Sequence, residues 1–582
     1  MILKYVTKKE WFIAALCVLA VVVNVYLELE IPDYMTQITT IISTGGEVHE
    51  VLTEGFWMLL CAFGSLIATV ICAVMASYVA TSLSKRLRKL EFDKVQSFSM
   101  EEMDRFSIPS LVTRSTNDIT QIQMTMAMGL QVMIKAPIMA AWAISKIYSK
   151  NIEWTTATAI AIFSLMCIIA CVMVFVIPKF KRIQWLTDNL NRVTRENITG
   201  IRVIRAYNAE QYQDDRFEHA NKELTDTNLS TQRAMSFMMP GMSAILNGLS
   251  LSIYWIGAIL IAGASDMTQQ FVLFADMVVF SSYAMQVVMS FIMLVVIFMI
   301  LPRASVASKR VQEVIDTEPS IVSGDMKEDT GTTGKVVFKD VSFRYPGASA
   351  DTLSNISFEV TKGETLALIG ATGSGKSTLI NLIPRLYDVT GGTVEVDGVN
   401  VRDYDLNTLR NKVGYVSQKA FMFAGSIGSN VNYGSTSTER TEQDVERAIS
   451  IAQAKEFVDK LEDRYQSDVA QGGTNLSGGQ KQRLSIARAI CKSPEIYIFD
   501  DTFSALDYKT DRILREELHR QIEGATCIIV AQRVGTIMNA DRIIVLDEGK
   551  MVGIGKHDEL LHNCPTYLDI VRSQMSDEEA GL

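Results

Sequence analysis

Six apolar stretches before residue 302 constrain this chain more than any other feature. They cover approximately 11–27, 56–79, 124–147, 155–177, 237–262 and 274–301. Each approaches or exceeds the roughly 20 residues a helix needs to cross about 30 Å of hydrocarbon. Lys4, Lys8 and Lys9 precede the first run, as in a signal peptide. That run is long for a signal sequence, lacks a convincing cleavage site and is followed by five more, so it reads as an uncleaved span. A mean hydropathy of +0.17 fits a membrane protein with a soluble part. At 582 residues several domains are expected. The net charge of −10 offers no basic surface, which excludes nucleic acid as a partner. Eight scattered cysteines without CxxC spacing suggest neither a disulfide framework nor a zinc site.

Loop charges give the orientation. Residues 28–55 and 263–273 carry no Lys or Arg, and the third short loop has Lys146 and Lys150. The long segments are basic: Lys85, Arg86, Arg88, Lys89, Lys94, Arg105 and Arg114 in one, Lys179, Lys181 and Arg182 through Arg233 in the other. The basic side is cytoplasmic, which places both termini there in a multi-pass protein of the cell membrane. Segments 80–123 and 178–236 are rich in helix formers and read as spans continuing into the cytoplasm, interrupted at 107–110 and 206–210. Lys135 and Asp276 lie within apolar runs. A charge at the bilayer centre costs about 2.5–3.5 kcal/mol, so both are expected to face protein or water. Frequent methionines, Met124 to Met139 and Met235 to Met242 among them, suit either plain packing or an adaptable surface for hydrophobic small molecules.

The membrane domain therefore spans 1–318, a Gly/Asp/Thr-rich linker 319–334, a soluble α/β domain 335–575 and an acidic tail 576–582. In the soluble part, Gly370, Ala371, Thr372, Gly373, Ser374, Gly375, Lys376 and Ser377 make a complete G-x-x-x-x-G-K-[ST] phosphate loop, followed by Thr378. A buried strand precedes it and a helix follows. Glycines let backbone N–H groups close around phosphate oxygens, and the helix N-terminus adds positive potential. Lys376 is placed to reach the β- and γ-phosphates and Ser377 to ligate Mg²⁺. The apolar strand 496–500 ends in Asp500, a candidate Mg²⁺ ligand. Tyr345, about 25 residues before the loop, is a candidate to stack on adenine.

Leu476, Ser477, Gly478, Gly479 and Gln480 spell LSGGQ about twenty residues before that strand. This resembles the signature of ATP-binding-cassette (ABC) ATPases. Gln418 resembles the family's Q-loop glutamine, a supporting ligand of the metal, and Asp507 its D-loop aspartate. Six spans fused to one cassette are similar to exporter half-transporters over nearly the whole chain. The resemblance implies a bundle of six transmembrane helices with long cytoplasmic extensions, fused to an α/β P-loop ATPase. It implies ATP and Mg²⁺ as cofactors, coupling helices near 107–113 and 207–211, and a second cassette. Each ATP would lie between one chain's phosphate loop and the other's Ser477, Gly478 and Gly479.

Two positions depart from the family pattern. Asp501 stands where the family has a glutamate that orients the attacking water, and Gln532 where it has a switch histidine. Asp501 keeps the charge but withdraws it by one methylene; Gln532 cannot titrate. Gln471 also replaces a usual glutamate. With the nucleotide-gripping motifs whole, the chain resembles the degenerate-site subunit of heterodimeric bacterial multidrug ABC exporters. The expected partner carries Glu and His at the positions of Asp501 and Gln532, and the expected cargo is an amphipathic drug-like compound drawn from membrane lipid. The alternatives are a lipid or peptide exporter, homodimeric included, and an ATP-gated regulatory or channel-like protein.

Overall fold

The computed structural model describes residues 2–148, 151–264, 266–327, 331, 333–434, 440–504, 506–522 and 524–576. Lys150, residue 505 of the D-loop, parts of the linker (328–330 and 332) and the tail from 577 lie outside the described residues. The chain packs as two units, Met1–Val95 with Pro109–Thr317, and Gln96–Ile108 with Glu318–Leu582.

Among the described residues six helices are long and apolar enough to cross a membrane: Lys8–Ser43, Val48–Gln96, Ile108–Tyr148, Ile152–Thr199, Glu210–Gly263 and Gln269–Asp316. The 49 residues of the second reach about 70 Å at 1.5 Å per residue, over twice the hydrocarbon thickness. The excess is the polar continuation that the helix-forming composition predicted.

Several polar side chains in the spans find partners on neighbouring helices. Asn24 donates to the Ser65 carbonyl (2.9 Å), Ser65 Oγ (3.0 Å) and Thr69 Oγ1 (2.8 Å). Lys135 pairs with Glu28 at 2.7 Å, so it faces protein as its insertion cost requires. Lys146 pairs with Glu30 (3.3 Å) and Asp33 (2.5 Å), and Tyr283 donates to Asp33 at 2.6 Å. In the third helix a π-helical turn at Gly129–Met133 lies just before Pro137, whose ring cannot fit beneath a regular α-turn.

The interruptions fall where expected, at Ser107 and Asn208, but the short helices beside them do not lie at 107–113 and 207–211. A short helix, Met100–Phe106, lies between a break at its start and one at Ser107, whose φ is 60°. Residues 107–113 instead open the third long helix, with Pro109 in the first turn of Ile108–Thr113, where a missing N–H is harmless. The cause was local. Ser99 and Glu102 form a capping box that restarts the chain as helix before Ser107. In the second segment the turn falls within 206–210, at Asn208 (φ 50°), but the short helix lies ahead of it, at Ile201–Ala206.

The second unit holds two main sheets. The antiparallel one runs β2 (Leu353–Val360), β1 (Val336–Phe343), β4 (Gly391–Val396), β5 (Val399–Asn400). The other runs β12 (Lys550–Gly555), β11 (Arg542–Asp547), β3 (Thr365–Gly370), β10 (Thr526–Val530), β9 (Ile496–Asp500), β6 (Val413–Val416), parallel except for β12. A two-strand ribbon joins β7 (Gly425–Ser426) to β8 (Asp468–Val469). One core lies between the main sheets, around Phe338, Leu368, Leu379 and Ile498. A second joins β6 and β9 to the helices Glu442–Ile451 and Gly478–Lys492.

Candidate functional site

Strand order builds the site. β10 lies between β3 and β9, and Val530 is in register with both Leu368 and Asp500. The chain leaving β10 therefore emerges between the phosphate loop and the end of β9, carrying Gln532 there. β6 flanks β9 on the other side with Val416 opposite Phe499, and Gln418 follows two residues later. Ligands gather at such carboxyl ends of parallel strands.

The phosphate loop turns tightly from Gly370 into the helix Lys376–Asn381. A Cβ on Gly370 (φ 154°) would fall 2.0 Å from the Leu546 carbonyl, and one on Gly375 (φ 95°) 2.7 Å from Leu353 Cδ2; neither position tolerates a side chain. Lys376 is buried and donates to the carbonyls of Gly370 (2.9 Å) and Ala371 (2.8 Å). Burial lowers the pKa of its ammonium, against the pull of Asp501 and Asp500. Ser377 Oγ donates to Asp500 Oδ1 at 2.9 Å. Burial raises the Asp500 carboxyl pKa, against the Ser377 hydrogen bond, which favours the ionised form. Hydroxyl and carboxylate oxygens side by side are the donor set a hard divalent cation takes, so Ser377 and Asp500 fit Mg²⁺. Tyr345 is half-buried, and its hydroxyl lies 3.0 Å from Thr378 Oγ1.

Asp501, expected at the water-orienting position, is held differently from the rest. Asp501 has a left-handed backbone (φ 45°), and its N–H donates to the Val530 carbonyl at 3.0 Å. One carboxylate oxygen, Oδ2, accepts from Gln532 Nε2 at 2.8 Å and from Gln418 Nε2 at 3.2 Å. Two neutral amides from the flanking strands thus converge on one oxygen.

A family model for the ABC transporter transmembrane region matches residues 14–291, and one for the ABC transporter matches 353–504. An ABC transporter ATP-binding protein of Mycobacterium tuberculosis is 39% identical over 520 residues, 88% of each chain. This chain belongs to the ABC transporter family. The YfiB ABC transporter ATP-binding protein of Bacillus subtilis is 35% identical over 519 residues, 88% of each chain. An ATP-dependent lipid A-core flippase of Burkholderia orbicola is 31% identical over 87% of this chain and 84% of its own. A bacterial Atm1-family ABC exporter solved with ATP bound shares the fold, with TM-score 0.79 and 22% identity over 98% of both chains. The chain is a half-transporter: one membrane domain fused to one ABC ATPase domain that binds ATP.

Within this ABC half-transporter the signature residues belong to another element. Ser477 caps the helix Gly478–Lys492, accepting from Gln480 N (3.3 Å), while Gln480 Oε1 accepts from Ser477 N (2.8 Å). Ser477 and Gly478 are exposed, and a Cβ on Gly478 would meet nothing within 4 Å. Ser477 and Gln480 bond to each other rather than to the phosphate loop, whereas Lys376, Ser377, Asp500, Asp501, Gln418 and Gln532 are gathered together. Asp507 caps the helix Tyr508–Gln521, accepting from Thr510 N at 3.0 Å. Gln471 opens a short turn at Gln471–Gly473. One residue escaped the sequence reading. Gln574 accepts from Val534 N (2.9 Å) and donates to the Gln532 carbonyl (2.8 Å), clamping the backbone on both sides of Arg533. No motif marks a glutamine 42 residues beyond its partner.

Proposed function

We propose that this chain is one subunit of a heterodimeric ABC exporter, binding ATP at its own site without hydrolysing it efficiently and lending LSGGQ to a competent site on its partner. The observation that carries the reading is the double hold on Asp501 by Gln418 and Gln532. A carboxylate whose oxygen is engaged by two amides is poorly placed to take a proton from water, and general-base help is worth about 10²–10⁴ in rate. Ser377, Asp500 and Gln418 would hold Mg²⁺, which supplies charge neutralisation on the phosphates when bound. The partner carries Glu and His at the positions of Asp501 and Gln532. Both termini and the ATPase domain face the cytoplasm of the cell membrane.

The cargo in this reading is an amphipathic drug-like compound taken from the bilayer. A second reading, lipid cargo, is favoured by the similarity to a lipid A-core flippase. Purification of the tagged chain from its native membrane, followed by mass spectrometry of the intact complex, tests the pairing. Recovery of two different half-transporters is expected; a pure homodimer with full turnover refutes it. In the recovered pair Asp501→Ala should leave turnover within about twofold. A loss of 10² or more would show that this chain's own base does the work.

A further inference from the structure

A cavity beside Tyr345 is walled in part by residues from a segment that precedes the ATPase domain by over two hundred positions. Gln96–Ile108 packs as part of the ATPase unit. Glu102, only 5% exposed, accepts from Ser99 N (2.8 Å) and Ser320 N (2.9 Å). Ser99 Oγ and Ser320 Oγ lie 2.8 Å apart, and Tyr387 donates to Asp104 at 3.1 Å. These bonds hold Ser99 and Glu101 on one wall of a cavity of about 420 Å³, which Phe343, Arg344 and Tyr345 also line. The Tyr345 ring is fixed by its contact with Thr378 and by an edge-on contact with Tyr387 at 5.3 Å between centroids.

A tyrosine face stacks on any base, because every base has a π-face. Tyr345 therefore cannot choose among nucleotides, and choice requires a donor or acceptor at the edge of the base. Of the charged side chains lining the cavity, Arg344 is paired with Asp351 (2.8 Å) and Asp388 with Arg385 (2.8 Å). Glu101 has no hydrogen bond or ion pair among the described residues.

We propose that Glu101 is a specificity-determining residue, selecting adenine over guanine at this chain's own site by accepting a hydrogen bond from the exocyclic amino group. The proposal rests on Tyr345 being the base platform. An ionised carboxylate only accepts hydrogen bonds. Adenine offers it the N6 amino donor, whereas guanine presents the O6 acceptor at that position, and two acceptors repel. A hydrogen bond to a charged group at a part-exposed site corresponds to about a tenfold preference.

The test uses the assembled transporter in detergent. This chain is photolabelled with 8-azido-ATP, resolved from its partner on a gel, and competed with ATP or GTP. In the wild type GTP should compete about tenfold less well than ATP. Glu101→Gln, which offers a donor as well as an acceptor, and Glu101→Ala should both bring the ratio close to one. Tyr345→Ala should weaken both competitors equally. An unchanged ratio in Glu101→Gln, equal competition in the wild type, or Glu101 variants that weaken ATP and GTP alike would each overturn the assignment. If the wild-type chain takes no label at all, the nucleotide-site reading itself falls, and this proposal with it.

Discussion

The hold on Asp501 predicts what restores hydrolysis at this site. The experiment takes the assembled pair with the partner's own water-orienting residue replaced, so that any remaining turnover comes from this chain's site. Asp501→Glu extends the carboxylate by one methylene, about 1.5 Å, but Gln532 Nε2, now 2.8 Å from Oδ2, still competes for it. A hydrogen bond to a charged group is worth about 1.5 kcal/mol at the low end suited to this exposed glutamine, or about one decade in rate. The 3.2 Å bond from Gln418 is longer and weaker. Asp501→Glu combined with Gln532→His removes the tighter donor and supplies a titratable group. The double variant should therefore recover at least 10² of the general-base factor of about 10²–10⁴, with the single Asp501→Glu about tenfold behind it. Phosphate release under saturating ATP reads both. A double variant at background, or a single equal to the double, would refute the reasoning.

Three further outcomes follow from the same geometry. Gly478→Arg should leave the melting temperature within about 2 °C, since a Cβ there meets nothing within 4 Å of its own chain, yet cut ATPase activity of the pair by about 10² or more through loss of charge stabilisation at the partner's nucleotide. Asp500→Asn should raise the melting temperature in magnesium-free buffer at neutral pH. Burial raises the folded pKa of Asp500, so the ionised group lowers stability above its unfolded pKa, near 3.9, and the gain should shrink as pH falls toward that value. Lys135→Met should destabilise the membrane unit by about 1–3 kcal/mol by stranding Glu28. Glu28→Gln in the same chain should recover most of that loss, as measured by thermal aggregation in detergent.

Much of this was legible in the residues. The six spans follow from run length alone, and the phosphate loop, Asp500 and LSGGQ from spacing that few other sequences satisfy. The substitutions at 501 and 532 were visible too. What they do to each other was not, because it depends on β6 and β10 flanking β9 and delivering two glutamines to one oxygen. Parallel-strand order is set by long-range packing and leaves no local trace. The first cytoplasmic break falls at Ser107, within the expected 107–110, but the short helix lies before it: Pro109 is a conspicuous punctuation mark, while the Ser99–Glu102 capping box that sets Met100–Phe106 is quieter. Gln574 and Glu101 carry no pattern at all, and only the fold brings Gln574 to the Gln532 carbonyl and Glu101 to the cavity beside Tyr345.

Glu102 and Asp104 are translated long before the residues they bind, Ser320 and Tyr387, 218 and 283 positions downstream. The ATPase unit is therefore discontinuous along the chain, and these bonds form only once Gln96–Ile108 has met it. Its missing piece is strung between two helices that must already be inserted in the bilayer. A fragment excised from Glu318 onward would leave the Ser320 amide uncapped and the Tyr387 hydroxyl without its carboxylate.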